Sequence, residues 1–447
     1  MIRHWVWVSP HRVCLSFLFV LLSAVLAWAG PAKAPAEPPE LIVAVGDVHG
    51  DFDDLVAILG RIGLIDKQNH WEGGRSTFVQ LGDLLDRGPK PREVLDLMMA
   101  LEKEAPKTGG RVVLVLGNHE VMNIMGDVRY VTPDNYASFA DTHSEERQRS
   151  AYQQFMKWRG DHSALLAELA QPAAITEAEW VARHPLGFIE QREAFSLKGE
   201  YGRWLRAHAA VAEVDGVLFL HGGISPSLAQ LNLNTINSQV RDEIKTFDAT
   251  TQYLVSEKVI LPFFTLQEMV AAAQAELTAE RKSRVASDEQ RQATLNRFLE
   301  LGNWLCIREG GPLWFRGYDH WSDDEGAADV EKLLDAYNVA HIVTGHTPQK
   351  DGRIRPRFGN RVFLVDTGML SSYYSGGQAS ALAICGSAKF IAVYRDEQVV
   401  LLDSAGSSPQ HGGAGQHPAA EDGTTVSANL AASPAVRICS ATTAAPQ

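Results

Sequence analysis

Short apolar runs alternate with helical stretches from Leu41 to about Asp403. Apolar runs of about four to eight residues between turn residues are typical of buried strands, and apolar residues three or four apart are typical of helices. The alternation of the two patterns predicts an α/β domain over residues 41–403. The predicted strands are Leu41–Val45, Thr77–Leu81, Arg111–Leu116, Val217–Leu220, His341–Val343, Val362–Asp366, Leu382–Cys385, Phe390–Arg395 and Val399–Leu402.

Two long segments, about residues 125–210 and 240–305, interrupt the strands. The first contains helical patterns such as Glu145–Arg159, and the second is rich in Ala and Glu. Both segments are too long for plain loops of a folded domain. We therefore expect helical insertions that cover one face of the sheet.

Residues 1–29 have the pattern of a targeting segment. Arg3 and Arg12 come before an apolar run, Val13–Trp28, and the small residues Ala27 and Ala29 flank Trp28. This order of basic, apolar and small residues predicts a secretory signal peptide. The alternative is an uncleaved N-terminal anchor, for which the apolar run is short.

Composition changes sharply on both sides of the predicted domain. Residues 30–40 are rich in Pro and Ala and are interpreted as a linker. Residues 404–447 consist mainly of Ala, Gly, Ser, Thr and Pro, which predicts a disordered low-complexity tail. With the signal peptide removed, we expect a periplasmic or secreted protein without stable membrane insertion.

Charge and cysteine content limit the possible partners and compartments. The formal net charge of the 447 residues is −13, which argues against nucleic acid as a partner because phosphate backbones bind basic surfaces. Three of the four cysteines, Cys306, Cys385 and Cys439, would remain after export. One disulfide is expected in an oxidising compartment, and the spacing leaves the pair undetermined.

Five polar motifs each follow a predicted strand. They are Gly46–Gly50 (GDVHG), Gly82–Gly88 (GDLLDRG), Gly117–Glu120 (GNHE), His221–Gly223 (HGG) and Gly345–Pro348 (GHTP). Ligands of open α/β sheets bind outside the carboxyl ends of the strands, so the five motifs should converge on one crevice.

The motifs supply aspartate, histidine and asparagine side chains. These oxygen and nitrogen donors suit Mn, Fe or Zn. Two aspartates, three histidines and one asparagine exceed the needs of a single ion. The donors therefore predict two divalent metal ions bridged by a carboxylate, which in such sites lie about 3.5–4 Å apart.

The ordered motif set resembles the phosphoprotein phosphatase branch of the calcineurin-like metallophosphoesterases, and within it the Shewanella-like phosphatase group. The wider match includes GNHEVMN at 117–123, Tyr201–Arg206 and Gly311–Tyr318, and it extends over residues 41–403. The resemblance implies a four-layer α/β/β/α sandwich with helical insertions. It also implies a phosphomonoesterase in which a metal-bound water or hydroxide attacks phosphorus directly, without a phosphoenzyme.

The resemblance further implies a set of metal ligands. Asp47 and His49 would bind the first ion, and Asp83 would bridge both ions. The second ion would be bound by Asn118, His221 and His346.

The remaining roles concern the substrate. His119 would be the general acid that protonates the leaving oxygen, and Asp86 would orient its imidazole. Arg87, Arg316 and Asn118 would bind the phosphate oxygens.

The substrate expected from the resemblance is a phosphorylated protein, peptide or small molecule. One alternative is a nucleotide or dinucleoside polyphosphate hydrolase, which uses the same core motifs. Another is a metal-binding adaptor without catalysis, against which the complete ligand set argues. The sequence leaves open the choice between Ser/Thr and Tyr phosphates, and the identity of the metals.

Several polar or aromatic residues near the motifs are given other interpretations. We expect Asp51 and Asp53 to cap a helix that starts near Leu55. Glu120 is expected to support the site rather than act as a base, and Asp366 to occupy a turn or support a ligand. Tyr373 and Tyr374 lie in a Gly/Ser-rich segment and are expected in a surface loop that could alternatively reach the pocket.

Overall fold

The structure is a computed structural model that describes residues 41–163, 175–282, 288–386, 388–404 and 438–439. The predicted signal peptide and linker lie outside the described residues. So does the predicted tail, apart from Ser404, Ile438 and Cys439.

Two β-sheets form the centre of the domain. The first has six strands in the order β11-β10-β9-β1-β2-β3, and the second has five in the order β4-β5-β6-β8-β7. The strands are β1 (Leu41–Val45), β2 (Thr77–Gln80), β3 (Arg111–Leu114), β4 (Val211–Val214), β5 (Val217–Leu220), β6 (His341–Thr344), β7 (Arg355–Arg357), β8 (Val362–Leu364), β9 (Ser380–Cys385), β10 (Lys389–Tyr394) and β11 (Gln398–Asp403).

Within each sheet, the strands that precede the motifs are parallel to one another. In the first sheet β1 pairs with β2 and β2 with β3 in parallel, and in the second β5 pairs with β6 and β6 with β8 in parallel. The carboxyl ends of these strands therefore lie along one edge of each sheet. Every strand expected from the sequence is present, while β4 and β7 are additional.

The two sheets pack face to face. Alternate residues of both sheets, such as Ile42, Phe219 and Val343, form one buried apolar cluster. The rings of Phe363 in β8 and Phe390 in β10 stack with their centroids 4.5 Å apart, which joins the two sheets directly. Residues of β1 on the other face pack with the helices, as the period of two along a strand requires. The predicted layered α/β fold is confirmed.

Helices cover the outer faces of the sheets. Asp51 caps the first helix by accepting a hydrogen bond from the Asp54 backbone N–H at 3.2 Å, as expected. The same prediction is wrong for Asp53, which lies in the first turn, because the helix starts at Phe52 and not near Leu55. The helices are α1 (Phe52–Ile62), α2 (Pro91–Glu104), α3 (Asn118–Met125), α4 (Pro133–Phe139), α5 (Ser144–Asp161), α6 (Glu177–Arg183), α7 (Phe188–Phe195), α8 (Glu200–Leu205), α9 (Leu233–Ser256), α10 (Leu266–Lys282), α11 (Glu289–Leu299), α12 (Gly317–His320) and α13 (Asp323–Tyr337).

The two expected insertions are helical where the structure describes them. Helices α4–α8 lie within residues 125–210, and α9–α11 occupy the second segment, starting earlier than expected at Leu233. The fully buried Trp180 holds the first insertion together by packing against Tyr152, Phe155 and His184. Within the described ranges, no helix combines the length and the apolar character that a membrane span requires.

A disulfide joins Cys385, the last residue of β9, to Cys439. Ile438 is buried in the apolar core next to it. This point of the predicted tail is therefore fixed to the first sheet. Cys306, the remaining described cysteine, is free and fully buried.

Candidate active site

The five motifs meet where the loops after β1, β2, β3, β5 and β6 come together. Most polar or charged side chains of these motifs are at most 4% exposed. Burying so many polar groups is costly unless they bind one another or a ligand. The buried residues are Asp47, His49, Asp83, Asn118, His119, His221 and His346.

The carboxylate of Asp83 lies at the centre of this cluster. Its Oδ1 is 3.3 Å from Nε2 of His221. Its Oδ2 is 3.6 Å from Nε2 of His49 and 3.7 Å from Nε2 of His119. One oxygen thus faces each half of the cluster, which is the arrangement that a bridging carboxylate requires.

The His49 ring has a defined orientation. Its Nδ1 donates a hydrogen bond to the backbone carbonyl of Leu85 at 2.8 Å. Because a carbonyl only accepts, the proton lies on Nδ1 and the Nε2 lone pair faces the cluster. Asp47 lies next to it, with Oδ2 3.8 Å from that Nε2.

His221 is held in the same way in the other half of the cluster. Its Nδ1 donates to the carbonyl of Leu81 at 2.8 Å. Its Nε2 lies 2.8 Å from Oδ1 of Asn118 and 3.0 Å from Nδ1 of His346. These nitrogen and oxygen atoms therefore converge on one point, as ligand atoms do around a cation.

The electrostatic field of the cluster also favours a bound cation. Burial lowers the pKa of His221, but the carboxylates of Asp83 and Asp47 outweigh it and raise that pKa to about 9. Burial and neighbouring positive charge hold the pKa values of His49 and His346 well below their ordinary values. The field favours a cation, while two imidazoles stay in the neutral form that binds metals.

Two groups of donors in the described residues fit metal ions. One comprises His49, Asp83 and His119, and the other Asp83, His221 and His346. Both share Asp83, and their nitrogen and oxygen atoms suit borderline divalent metals. The first group contains His119, whereas the sequence analysis assigns Asp47 to the first metal ion. Oδ1 of Asp47 instead accepts a hydrogen bond from the His346 backbone N–H at 2.9 Å.

His119 and Asp86 form a buried pair beside the first group. Nδ1 of His119 is 2.6 Å from Oδ2 of Asp86. The other oxygen of Asp86 accepts a hydrogen bond from Nδ2 of Asn123 at 3.0 Å, and the same Nδ2 donates to the carbonyl of His119 at 2.9 Å. Asn123 thus fixes both members of the pair, a role that the sequence analysis missed.

The guanidinium of Arg87 borders the same space. Its Nη2 lies 3.2 Å from Nε2 of His119, and its Nη1 contacts Nε2 of His49 and the hydroxyl of Tyr374. Tyr130, Tyr373 and Tyr374 surround it, with ring centroids 5.1–5.5 Å from its central carbon. Tyr373 is 56% exposed, as expected for a surface loop, whereas Tyr374 is half-buried and reaches the pocket.

Arg316 lies beside the second group of donors. Its Nη1 donates hydrogen bonds to the carbonyl of His346 at 2.9 Å and to Oγ1 of Thr347 at 3.0 Å. The structure therefore places Arg316 at the rim of the cluster.

The backbone of the site is strained. His49, Asp83, Asp86, Arg87 and His346 have φ values between 49° and 70°. Residues other than glycine seldom adopt this left-handed region, and such strain concentrates at functional sites.

Two buried polar residues hold these loops in place. Glu120 accepts hydrogen bonds from the backbone N–H groups of Gly117, Asp83 and Leu84 at 2.7–2.9 Å, and therefore supports the site as expected. The side chain of Gln80, which the sequence analysis missed, donates to the carbonyls of Gly46 and Gly82.

Asp366 also has a supporting position. Its Oδ1 accepts a hydrogen bond from the Gly368 backbone N–H at 2.9 Å, which defines a turn as expected. Burial raises its pKa to about 6. Together with Asp47 and Asp83 it adds to the buried acidic charge that a divalent cation would balance.

Comparisons with known proteins agree with this geometry. The family model described as calcineurin-like phosphoesterase matches residues 41–350. Shewanella-like protein phosphatase 2 of Arabidopsis thaliana is 32% identical over 47% of this chain and 53% of its own length. Shewanella-like protein phosphatase 1 of Plasmodium berghei is 24% identical over 73% of this chain and 67% of its own length.

Solved structures show the same likeness. A structure described as a cold-active protein tyrosine phosphatase is 25% identical, with a TM-score of 0.51 over 82% of this chain and 80% of that chain. A further structure, described as that enzyme from a psychrophilic Shewanella species, gives a TM-score of 0.50. With the family model matching most of the chain and an Asp/His cluster suited to metals at its centre, this protein belongs to the calcineurin-like phosphoesterase family and is a hydrolase of phosphate esters.

Proposed function

We propose that this hydrolase is a metal-dependent protein phosphatase that removes phosphate from phosphorylated proteins or peptides. The observation that carries the proposal is the His119–Asp86 pair, 2.6 Å apart, next to Asp83 and the guanidinium of Arg87. A proton donor, a metal-binding carboxylate and an anion-binding cation would then surround one space. The names of the Arabidopsis and Plasmodium relatives support the assignment to protein substrates.

We assign the metal-binding role to the six residues that the sequence analysis selected. Two divalent ions held there would lower the pKa of water and neutralise charge on the phosphoryl oxygens. The proposed ligands are Asp47, His49, Asp83, Asn118, His221 and His346.

Arg87 would orient the substrate. A guanidinium offers paired N–H donors that match two phosphate oxygens. Nη1 and Nη2 of Arg87 both face the cluster, since they contact His49 and His119. Arg316 and Asn118 would complete phosphate binding from the side of the second group.

His119 would transfer the proton to the leaving oxygen. Its Nδ1 is held by Asp86, so its Nε2 is the atom that faces the reaction space. The carboxylate stabilises the protonated imidazole and prevents the ring from turning. This is the geometry that general acid catalysis requires.

The aromatic side chains around Arg87 favour an aryl phosphate such as phosphotyrosine. Tyr130 and Tyr373 are 38% and 56% exposed, so their rings can contact a substrate that enters the pocket. A phenyl ring that carries phosphate to Arg87 would pack between them. The description of the solved neighbour as a protein tyrosine phosphatase supports this preference.

Changing Tyr373 to alanine should lower kcat/KM for a phosphotyrosine peptide by about 3–10-fold, the value of one aromatic pair. Tyr373→Phe keeps the ring and is the matched control, for which kcat/KM should stay near the wild-type value. A phosphoserine peptide of the same sequence should respond to neither change. An equal loss for both peptides upon Tyr373→Ala would contradict the aromatic preference.

Hydrolysis assays with defined substrates test the function itself. We expect the purified protein to release phosphate from p-nitrophenyl phosphate and phosphopeptides, to lose this activity with a chelator, and to regain it with added Mn²⁺. A dinucleoside tetraphosphate should remain uncleaved. Cleavage of the dinucleotide alone would assign the protein to the nucleotide hydrolases, and metal-loaded protein inactive on every substrate would favour an adaptor.

We also propose that the protein is exported. The basic, apolar and small residues of 1–29 support export, and so does the Cys385–Cys439 disulfide, because disulfides persist in oxidising compartments. N-terminal sequencing of protein recovered from the periplasm or the medium should then start at Gly30. A chain that retains Met1 would favour the uncleaved anchor.

A further inference from the structure

A cavity of about 450 Å³ lies in the helical region, outside the candidate active site. Residues of α3, α7, α9 and α10 line it, together with the segments 196–198 and 260–262. Phe247, Leu261 and Met269 give much of its wall an apolar character. Its volume lies in the range of pockets that bind small molecules.

Arg192 of α7 lines this cavity and is 7% exposed. Its Nη1 donates to the carbonyl of Asn123 at 3.0 Å, while its buried Nε has no hydrogen-bond partner in the described part of the chain. None of the described carboxylates forms an ion pair with it. The charge of Glu268 acts on Arg192 only at longer range. The Glu268 carboxylate pairs with His184 and accepts a hydrogen bond from the Thr265 backbone N–H.

The other charged residues of the cavity do not compensate Arg192. Arg206 and Asp248 neutralise each other in an ion pair at 2.7 Å. Lys198 is exposed at the cavity and adds a second positive charge. The lining therefore combines apolar walls with two positive charges, one of them buried. A buried charge without a counter-charge is costly, and a bound anion would remove that cost.

We propose that this cavity binds a small organic anion, whose carboxylate or phosphate contacts Arg192 and Lys198 and whose apolar part contacts Phe247, Leu261 and Met269. Neither inorganic anions nor neutral apolar molecules match both features of the lining. The site is separate from the phosphate-binding Arg87.

Hydrogen bonds connect the cavity with the candidate active site. Arg192 contacts the carbonyl of Asn123, and the Asn123 side chain donates to Asp86, which holds His119. Gln191, next to Arg192, donates to Oδ1 of Asn123 at 2.5 Å. An anion that draws Arg192 towards the cavity would loosen Asn123 and disturb the Asp86–His119 pair. The ligand should therefore lower kcat. This kinetic consequence rests on the proposed role of His119, whereas binding itself does not.

Calorimetric titration with octanoate tests binding without any need for turnover. We expect octanoate to bind the purified protein, and acetate and 1-octanol to bind at least about tenfold more weakly. Acetate lacks the apolar chain, and 1-octanol lacks the negative charge. Lys198→Glu changes an exposed residue and should weaken octanoate binding about tenfold, since a charged contact is lost. Lys107→Glu, at another exposed lysine, is the control and should bind like the wild type.

Arg192→Gln should abolish octanoate binding, with its fold checked by circular dichroism. With a phosphotyrosine peptide as substrate, octanoate should lower kcat and leave KM unchanged. Competition with the substrate would place octanoate in the active site and overturn the proposal. So would octanoate binding that is unaffected by Lys198→Glu. Binding with unchanged kcat would overturn the coupling to Asp86.

Discussion

Replacement of His119 by asparagine is expected to lower kcat for phosphotyrosine peptides by about 10²–10⁴-fold, the usual contribution of a general acid. Asparagine cannot protonate the leaving oxygen, and nothing else in the Asp86 pair supplies a proton from that position. Metal content should stay at the wild-type level, because His119 is not among the six proposed ligands. Steady-state kinetics and elemental analysis measure the two effects.

The leaving group makes this prediction sharper. The p-nitrophenolate ion is stable without protonation, so the same variant should lose much less activity on p-nitrophenyl phosphate than on a phosphotyrosine peptide. His143→Asn, at an exposed histidine, is the matched control and should behave like the wild type. An equal loss on both substrates together with a loss of metal would make His119 a metal ligand, as its place in the first donor group allows.

Asp83→Asn should remove most of the bound metal. Asp83 faces both donor groups, so the change from carboxylate to amide weakens both metal positions at once. Loss of a residue that merely orients a ligand costs about 10–100-fold in metal affinity, and loss of a shared ligand should exceed that. Asparagine tolerates the left-handed backbone of residue 83 (φ 54°), so the fold should persist.

Elemental analysis and thermal unfolding with increasing Mn²⁺ test the Asp83 prediction. The wild-type Tm should rise with Mn²⁺, because a ligand that binds only the folded state stabilises it, and the variant should show little rise. Asp53→Asn, at an exposed aspartate paired with Lys90, is the control. Full metal occupancy in Asp83→Asn would show that Asp83 does not bridge the ions.

The sequence predicts the apolar strands well because their signal is local. β1, LIVAV, is buried at every position, and such a run can be recognised without knowledge of its neighbours. The same holds for the motifs, because each follows its strand directly and parallel strands bring their ends to one edge. The layered fold and the clustering of the metal-binding candidates follow from these two properties.

The two strands absent from the prediction have weaker signals. β4 is four residues long and pairs with β5. The turn between the two strands consists of Asp215 and Gly216, both with positive φ. An Asp-Gly pair between apolar runs is a hairpin signal that could have identified it. β7 contains Pro356 between two arginines and lies at the edge of its sheet, where proline is tolerated and apolar periodicity is absent.

Contacts between distant segments could not be predicted from local patterns. Tyr374 reaches Arg87 across 287 positions, and its Gly/Ser-rich surroundings indicate only a loop. Asn123 has a helical context, and its bonds to Asp86 and Gln191 depend on how α3 packs. Such side chains complete the site only once the tertiary structure has formed.

The Cys385–Cys439 bond closes the chain into a covalent ring that contains β10 and β11. A protease that cuts once anywhere between these cysteines therefore opens the ring without releasing a fragment. The cut protein would migrate as one species on a denaturing gel and separate into two only after reduction. Residues 440–447 lie beyond the ring, and a cut there frees a peptide at once. The fragment that follows the cut, with the buried Ile438, is thus retained on the first sheet even when the segment after β11 is nicked.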